Sequence, residues 1–383
     1  MKAALAAVLL VASALPVRAQ PLNTPEDVLD HLVQHRKDVA LVSFTVAPEG
    51  SPDTSDPILL VNADLPMALA STIKIVVLAT YAREVVAGRI DPQAELPIRE
   101  WERFYLPGTD GGAHAAALAA LGIATDQEGF ASDPEAPVSW DRIAQAMIRS
   151  SDNAATDLLL SRIGDRAVRA TLSEAGLPRH PQPLPILGLF LSWENHDQGP
   201  LTRSRLKRLT RMSPKAYAKE VWRLQNRYLD ENWREAELLW RQQHGSSYQI
   251  EAQAAQALFP KGTARDYARV MARVLQGSFL SPKVSEVMRW HLGWPMEIPG
   301  NAETFLNFGD KGGALASVLT EAMYFTPKRG DFGGTPHVSV LFLRNLSSEA
   351  FGSLTQTFAH QLFLVELGLS RSFAEETEER LSK

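Results

Sequence analysis

In the stretch ALASTIKIVVLATYAREVVAGRI, residues 68–90, Ser71 and Lys74 are of types that can do covalent chemistry together. On a helix, residues three apart share a face, so the Lys74 amine can reach the Ser71 hydroxyl. A serine at a helix start also meets the positive end of the helix dipole, which favours a developing alkoxide. Lys74 is surrounded by Ile73, Ile75, Val76, Val77 and Leu78, so the helix is apolar nearly all round and is expected to be buried. Burial disfavours an ammonium and lowers a lysine's pKa. A lysine kept neutral in this way can act as base toward the adjacent serine.

One S-x-x-K is weak evidence. A second, Ser204 to Lys207, is flanked by Arg203, Arg205 and Arg208 and reads as a solvated, charged helix face. Two further motifs add weight. Ser151-Asp152-Asn153 lies between two helical patterns. Asp and Asn there can simply cap a helix, or they can accompany a second hydroxyl that relays protons and an amide that holds a carbonyl. Lys311-Gly312-Gly313 follows FLNFGD and opens a strand. It is either a turn with a solvated lysine or an edge strand that a substrate can approach closely, with a cation beside it.

Taken in order on helix, inter-helix loop and strand, S-x-x-K, S-D-N and K-x-G resemble the set found in class A β-lactamases and penicillin-binding proteins. The resemblance covers most of the chain after residue 20. It implies that Ser71 is the acylated nucleophile and Lys74 a base or proton relay. By the same resemblance Ser151 protonates the leaving nitrogen, Asn153 orients the substrate and Lys311 supplies positive potential. The backbone N–H groups of Ser71 and Ala314 would form the oxyanion hole, beside Gly313. The implied activity is that of a β-lactamase-like serine hydrolase acting through an acyl-enzyme on a β-lactam or related amide. Two alternatives stay open on the same scaffold: a hydrolase of peptidoglycan peptides or esters, and a non-turnover penicillin-binding or sensing protein.

The sequence departs from that pattern in three places. The intervals of 80 residues from Ser71 to Ser151 and 160 from Ser151 to Lys311 are long. The excess falls on about 99–114 and on a Trp-rich helical insertion at about 200–258. The glutamate followed by Leu-Asn that serves class A deacylation is missing. Glu194, in SWENHD, is the nearest candidate for a water-activating base, although Asn195 follows it directly. Lys-Thr-Gly has become Lys-Gly-Gly, so no hydroxyl stands at Gly312. No arginine follows on the next strand, where Glu321 stands instead. The KGT at Lys261 to Thr263 is no substitute, since its order is reversed and Thr263 reads as the cap of the next helix.

The elements that must position these residues follow from periodicity. TPEDVLDHLVQHRKD is an amphipathic helix with a threonine cap. VALVSFTVAP and PILLVNADLP read as a hairpin. The helix bearing Ser71 ends at Gly88. LPGTDGGAHAAALAALG holds one short helix, and Ser139 caps another. LPRHPQPLPILGLF, rich in proline, is expected to be extended or loop. AYAKEVWRLQNRYLDENWREAELLWRQQ, TARDYARVMARVLQG and SPKVSEVMRWHLGW are helical. GALASVLTEAMYFTP and HVSVLFLRN are strands, and EAFGSLTQTFAHQLFLVELG is a final helix. The expected fold is therefore α/β (α+β), an antiparallel sheet built from both termini and flanked by helices, with an all-α lobe. Its α/β lobe is placed at 20–70 and 303–383, and its α lobe at 71–302, within one hydrolase domain of residues 20–383.

Composition excludes several classes. Of 383 residues, 45% are hydrophobic and 22% charged, and the net charge is −5, so nothing suggests a nucleic-acid partner. The chain has no cysteine, which removes thiol catalysis, Fe–S clusters and Cys-based zinc sites. Its histidines show no metal-binding spacing, and neither metal nor cofactor is expected. MKAALAAVLLVASALPVRAQ has a positive start, a short apolar run and a small-residue site near Ala19. Residues 1–19 are therefore expected to be a cleaved signal peptide, and the protein a periplasmic or secreted monomer without a membrane span. Its partner is expected to be a small-molecule or peptide amide.

Overall fold

The computed structural model describes residues 22–46 and 59–382. The expected signal peptide and its cleavage site near Ala19 lie outside the described residues. The chain divides into two compact units. The first comprises residues up to Thr72, Glu174–His180 and Lys261 onward; the second comprises Ile73–Ser173 and Pro181–Pro260.

In the first unit the described residues form a five-stranded sheet. Its order is Leu59–Val61, Val39–Thr45, His337–Leu343, Val318–Pro327, Phe305–Leu315, and each neighbouring pair is antiparallel. The expected N-terminal hairpin is present, and both ends of the chain meet where Val39–Thr45 pairs with His337–Leu343. Both faces are covered. Leu41, Leu341 and Leu343 share a core with Val28 and Leu32 of the helix Pro25–Gln34, and with Phe363, Leu364 and Leu367 of Ala359–Leu367. The helix Ala264–Gln276 packs against three central strands, with Tyr267 edge-on to Phe342 at 5.7 Å between centroids. Two-sided burial explains why all seven residues of HVSVLFL are buried, His337 and Ser339 included. That packing also moves the expected lobe boundary. Residues 261–302 belong with the sheet rather than with the all-α lobe, because Ala264–Gln276 buries its apolar face on these strands.

Two elements here differ from expectation. GALASVLTEAMYFTP is two strands: the chain turns back at Ser317, whose φ of 63° puts it in the left-handed region. The Lys-Gly-Gly thus lies well inside Phe305–Leu315, an edge strand of the described sheet. The final helix is interrupted at Phe358 (φ 53°) and followed by a further helix, Arg371–Ser382.

The second unit is helical apart from a two-stranded pairing of Glu95–Pro97 with Pro137–Ser139. Lys74–Val86, Trp140–Arg149 and Asn153–Ile163 pack on one another. Ser139 caps Trp140–Arg149 through the Arg142 N–H, and Gly88 takes φ 68° just past Lys74–Val86, both as expected. The insertion comprises Arg203–Thr210, Pro214–Tyr228, Glu231–Arg241 and Tyr248–Leu258. The first three start on side-chain caps, Thr202, Ser213 and Asp230. Ser204 and Lys207 are exposed, as expected, but Arg205 between them is buried and donates to the Ser192 and Gly199 carbonyls.

The Pro-rich stretch is not wholly extended, since Ile186–Trp193 is a helix. No side chain at Pro185 caps it. Its first N–H groups, those of Ile186 and Leu187, instead donate to the Asp157 carboxylate at 2.8 and 2.7 Å. A cap supplied from 29 residues upstream leaves no local mark in the sequence.

Candidate active site

In the first unit, Ser71 lies in the 3-10 turn Ala70–Ile73, which runs directly into the helix beginning at Lys74. Ala70, just before it, has φ 44°, a conformation costly for any residue with a Cβ. The turn is held through the Leu69 carbonyl, which accepts from the Thr72 N–H (3.1 Å), the Thr72 hydroxyl (2.6 Å) and the Thr320 hydroxyl (2.9 Å). Thr320 stands opposite Gly313 across the edge pair of strands. A Cβ built on Gly313 would lie 2.4 Å from the Ser71 nitrogen and 3.0 Å from the Thr72 nitrogen. The strand therefore approaches the backbone of Ser71 as closely as glycine allows, and Ala314 follows, exposed. Gly313→Ala must push rigid backbone aside. We expect it to lower acylation of Ser71 by about 10²-fold, the cost of a misplacement near 1 Å, measured as the second-order rate of adduct formation.

Lys311 precedes these glycines, and its side chain is buried, with Nζ donating to the Gly312 carbonyl at 2.5 Å. Burial pulls its pKa down to about 8, against the opposing effect of Asp310 and Glu321. A solvated lysine in a turn is therefore excluded. Gly312 also has a steric reason: a Cβ there would meet the Glu321 carboxylate oxygens at 2.9 and 3.0 Å.

In the second unit, Lys74 is fully buried, as its apolar helix requires. Its Nζ donates to the Ser151 carbonyl (2.6 Å), the Asn153 Oδ1 (2.8 Å) and, more weakly, the Ser151 hydroxyl (3.3 Å). The lysine of the first motif and both polar ends of the second are thus brought together. Ser151 has φ 61°, so here too a motif residue is held in the left-handed region. Asp152 does what a cap does, accepting from the Ala155 N–H at 2.8 Å at the start of Asn153–Ile163.

Asp152 has a second partner that sequence reasoning missed. His114 Nδ1 lies 2.7 Å from its other carboxylate oxygen, and both residues are fully buried. The His114 Nε2 is 3.5 Å from Glu102, and the ring stacks on Tyr105 and meets Trp101 edge-on. Burial opposes charge on His114, but Asp152 and Glu102 outweigh it and raise its pKa to about 9. Asp152 is lowered despite complete burial, by His114, the Ala155 N–H and Lys74. The long interval after residue 99 therefore carries a buried imidazolium that braces the S-D-N turn. Nothing local pairs position 114 with position 152.

Glu194 is placed differently from the loop acid its neighbours suggested. It ends Ile186–Trp193 and is buried, with its carboxylate accepting from the Ser246 hydroxyl and the Leu201 N–H and lying 3.5 Å from Arg241. These partners tie the insertion to the 194–201 segment. Asp157, which caps the helix Ile186–Trp193, is wholly buried, and burial raises its pKa to about 7, against the two N–H groups it accepts and Lys74. Among the described residues, no group of three or more acidic or histidine side chains is arranged to hold a metal.

A family model for the beta-lactamase enzyme family matches residues 51–333. The chain belongs to that family. Among solved structures, a β-lactamase from Sphaerobacter thermophilus DSM 20745 is 15% identical with a TM-score of 0.52, covering 89% of this chain and 95% of that one. PBP-A is 16% identical with a TM-score of 0.49, covering 89% and 96%. A β-lactamase from Xanthomonas campestris pv. campestris is 14% identical with a TM-score of 0.49, covering 89% and 99%. No curated protein matches the sequence. The first of these likenesses shows that this family member has the β-lactamase fold. No helix among its described residues is long and apolar enough to cross a membrane.

Proposed function

We propose that this chain is an exported serine hydrolase that takes an acyl group from a β-lactam or a related amide onto Ser71. The observation that carries the proposal is the fit of Gly313 against the Ser71 amide, with no room for a Cβ. A strand laid so close along a serine presents its backbone to whatever that serine attacks. The Ser71 hydroxyl adds to the substrate carbonyl and loses its proton toward Lys74. The oxyanion is received by the Ser71 and Ala314 N–H groups. As the C–N bond breaks, the leaving nitrogen takes a proton from Ser151, which Lys74 resupplies. Asn153 orients the acyl side, and Lys311 supplies positive potential.

A second reading, acylation without rapid release, is favoured by Glu194, whose carboxylate is already committed to Ser246, Leu201 and Arg241. In that reading Glu194 clamps the insertion, and the protein acts as a penicillin-binding or sensing module.

The pH profile of acylation tests the role of Lys311. Its pKa is held near 8 instead of 10.5, so its charge is present below pH 8 and lost as pH rises through that value. Acylation is expected to fall along an alkaline limb near pH 8. A rate that stays flat to pH 10 would remove Lys311 from the reaction.

A further inference from the structure

The Lys-Gly-Gly strand has a second face, and the acyl-transfer reading leaves it unused. Side chains alternate along Phe305–Leu315, so Asp310 and Gly312 share the face opposite Lys311 and Gly313. On the neighbouring strand Glu321 stands directly across from Gly312. Its carboxylate fills the space a side chain at 312 would occupy. Glu321 is 1% exposed and Asp310 5%. Gln361 Nε2 donates to Glu321 at 2.9 Å and His360 Nε2 lies 3.4 Å away, both from the helix Ala359–Leu367.

This cluster is costly. It lies beside the apolar core of Leu319, Met323, Leu341, Phe363 and Leu364, where unneutralised carboxylates are strongly disfavoured. Burial and Glu321 push the Asp310 carboxyl well above its ordinary range, which favours the form that can donate to Glu321. Burial raises Glu321 too, while the hydrogen bonds from Asp310 and Gln361 favour its charged form. Burial holds His360 down to about 4, so it contributes no cation at neutral pH. The two carboxyls face each other in this core, and the positive charge acting on both is Lys311. Asp310 and Glu321 in turn favour the charged form of Lys311.

Gly312 is one residue from Gly313, whose backbone abuts the Ser71 amide, so a substrate lying along this edge strand to reach Ser71 passes Gly312. A substrate anion there is exposed to the field of a buried carboxylate, in surroundings that screen it poorly. We infer that Glu321 is a specificity-determining residue, turning the Ser71 site away from acyl donors with a carboxylate beside the scissile bond and toward neutral ones, esters or carboxamides. The inference rests on acyl transfer at Ser71.

The test uses two thioesters with the same acyl group, one with thioglycolate as leaving group and one with its primary amide. In each, the Ser71 oxygen bonds to the acyl carbon, the C–S bond breaks, and the thiol leaves with the serine's proton, so free thiol reports the step. The full-length protein is expected to release thiol from the amide at least about tenfold faster than from the carboxylate. Glu321→Gln is expected to bring the two rates within about twofold. Asp310→Asn, whose amide can still donate to Glu321, is expected to keep the preference, which mere disturbance of the cluster would not. Equal rates or a carboxylate preference in the unsubstituted protein overturn the inference, whether or not Glu321→Gln folds, and leave acyl transfer standing. So does a preference that survives in folded Glu321→Gln. No thiol from either donor removes acyl transfer and the inference together.

Discussion

Replacing Lys74 by Met is expected to lower acylation of Ser71 by about 10²–10⁴-fold, the range general base catalysis commands. Lys74 is fully buried and its amine donates to the Ser151 carbonyl, the Asn153 amide oxygen and the Ser151 hydroxyl. The variant therefore loses the proposed base and also leaves buried acceptors without a donor, at about 1–3 kcal/mol for each unsatisfied group. Lys74→Arg separates the two effects. It keeps a cation and donors near those acceptors but cannot be deprotonated. Acylation should be lost in Lys74→Arg while near-ultraviolet circular dichroism stays that of the parent. An acylation rate equal to the parent's in either variant would mean that Lys74 only holds the S-D-N turn.

The second large effect is expected at Asp152. Asp152→Ala strips the fully buried His114 imidazolium of its 2.7 Å partner and removes the Ala155 cap. Breaking a buried charge pair from one side costs about 3–5 kcal/mol. The pH dependence gives this loss a signature. His114 has its pKa raised to about 9 by Asp152 and Glu102 against burial, so its stabilisation is complete below its ordinary value of 6.5. That stabilisation is lost as pH rises from there through 9. Asp152 is shifted the other way, so its contribution is present above 3.8 and lost on acidification below that. Asp110, whose carboxylate accepts from the His114 backbone N–H, is raised by burial and by Asp152. Melting temperatures between pH 6 and 10 should decline in the parent and much less in Asp152→Ala. Parallel declines would mean that another group governs the alkaline side.

The sequence and the structure agree best where local pattern decides the outcome. Thr24, Ser139 and Thr263 cap helices as their positions predict, each accepting from a backbone N–H of the first turn. The sheet assembled from both ends follows from strand patterns at residues 39–61 and 318–343. Lys74 is buried as the apolar run that follows it, Ile75 to Ala79, predicts. What was not legible depends on partners distant in sequence. The helix at Ile186 begins on a carboxylate at Asp157, and the brace on Asp152 comes from His114. The substitution of glycine for threonine at 312 looked like the loss of a binding group. It becomes intelligible only with the Glu321 carboxylate across the strand pair, in the space a threonine would need. Glu194 was read from its place in the chain alone, and its actual partners, Ser246 and Arg241, come from the insertion.

The central claim is that Ser71 is the residue acylated. Intact mass, followed over time after mixing with benzylpenicillin and in parallel with its methyl ester, tests it most directly. A one-to-one adduct is expected, formed faster from the ester and absent from Ser71→Ala. An adduct that clears as drug is consumed identifies a turnover enzyme, and one that persists identifies a binding or sensing protein. An adduct retained in Ser71→Ala, or none from either compound, would mean that Ser71 is not the acylated residue.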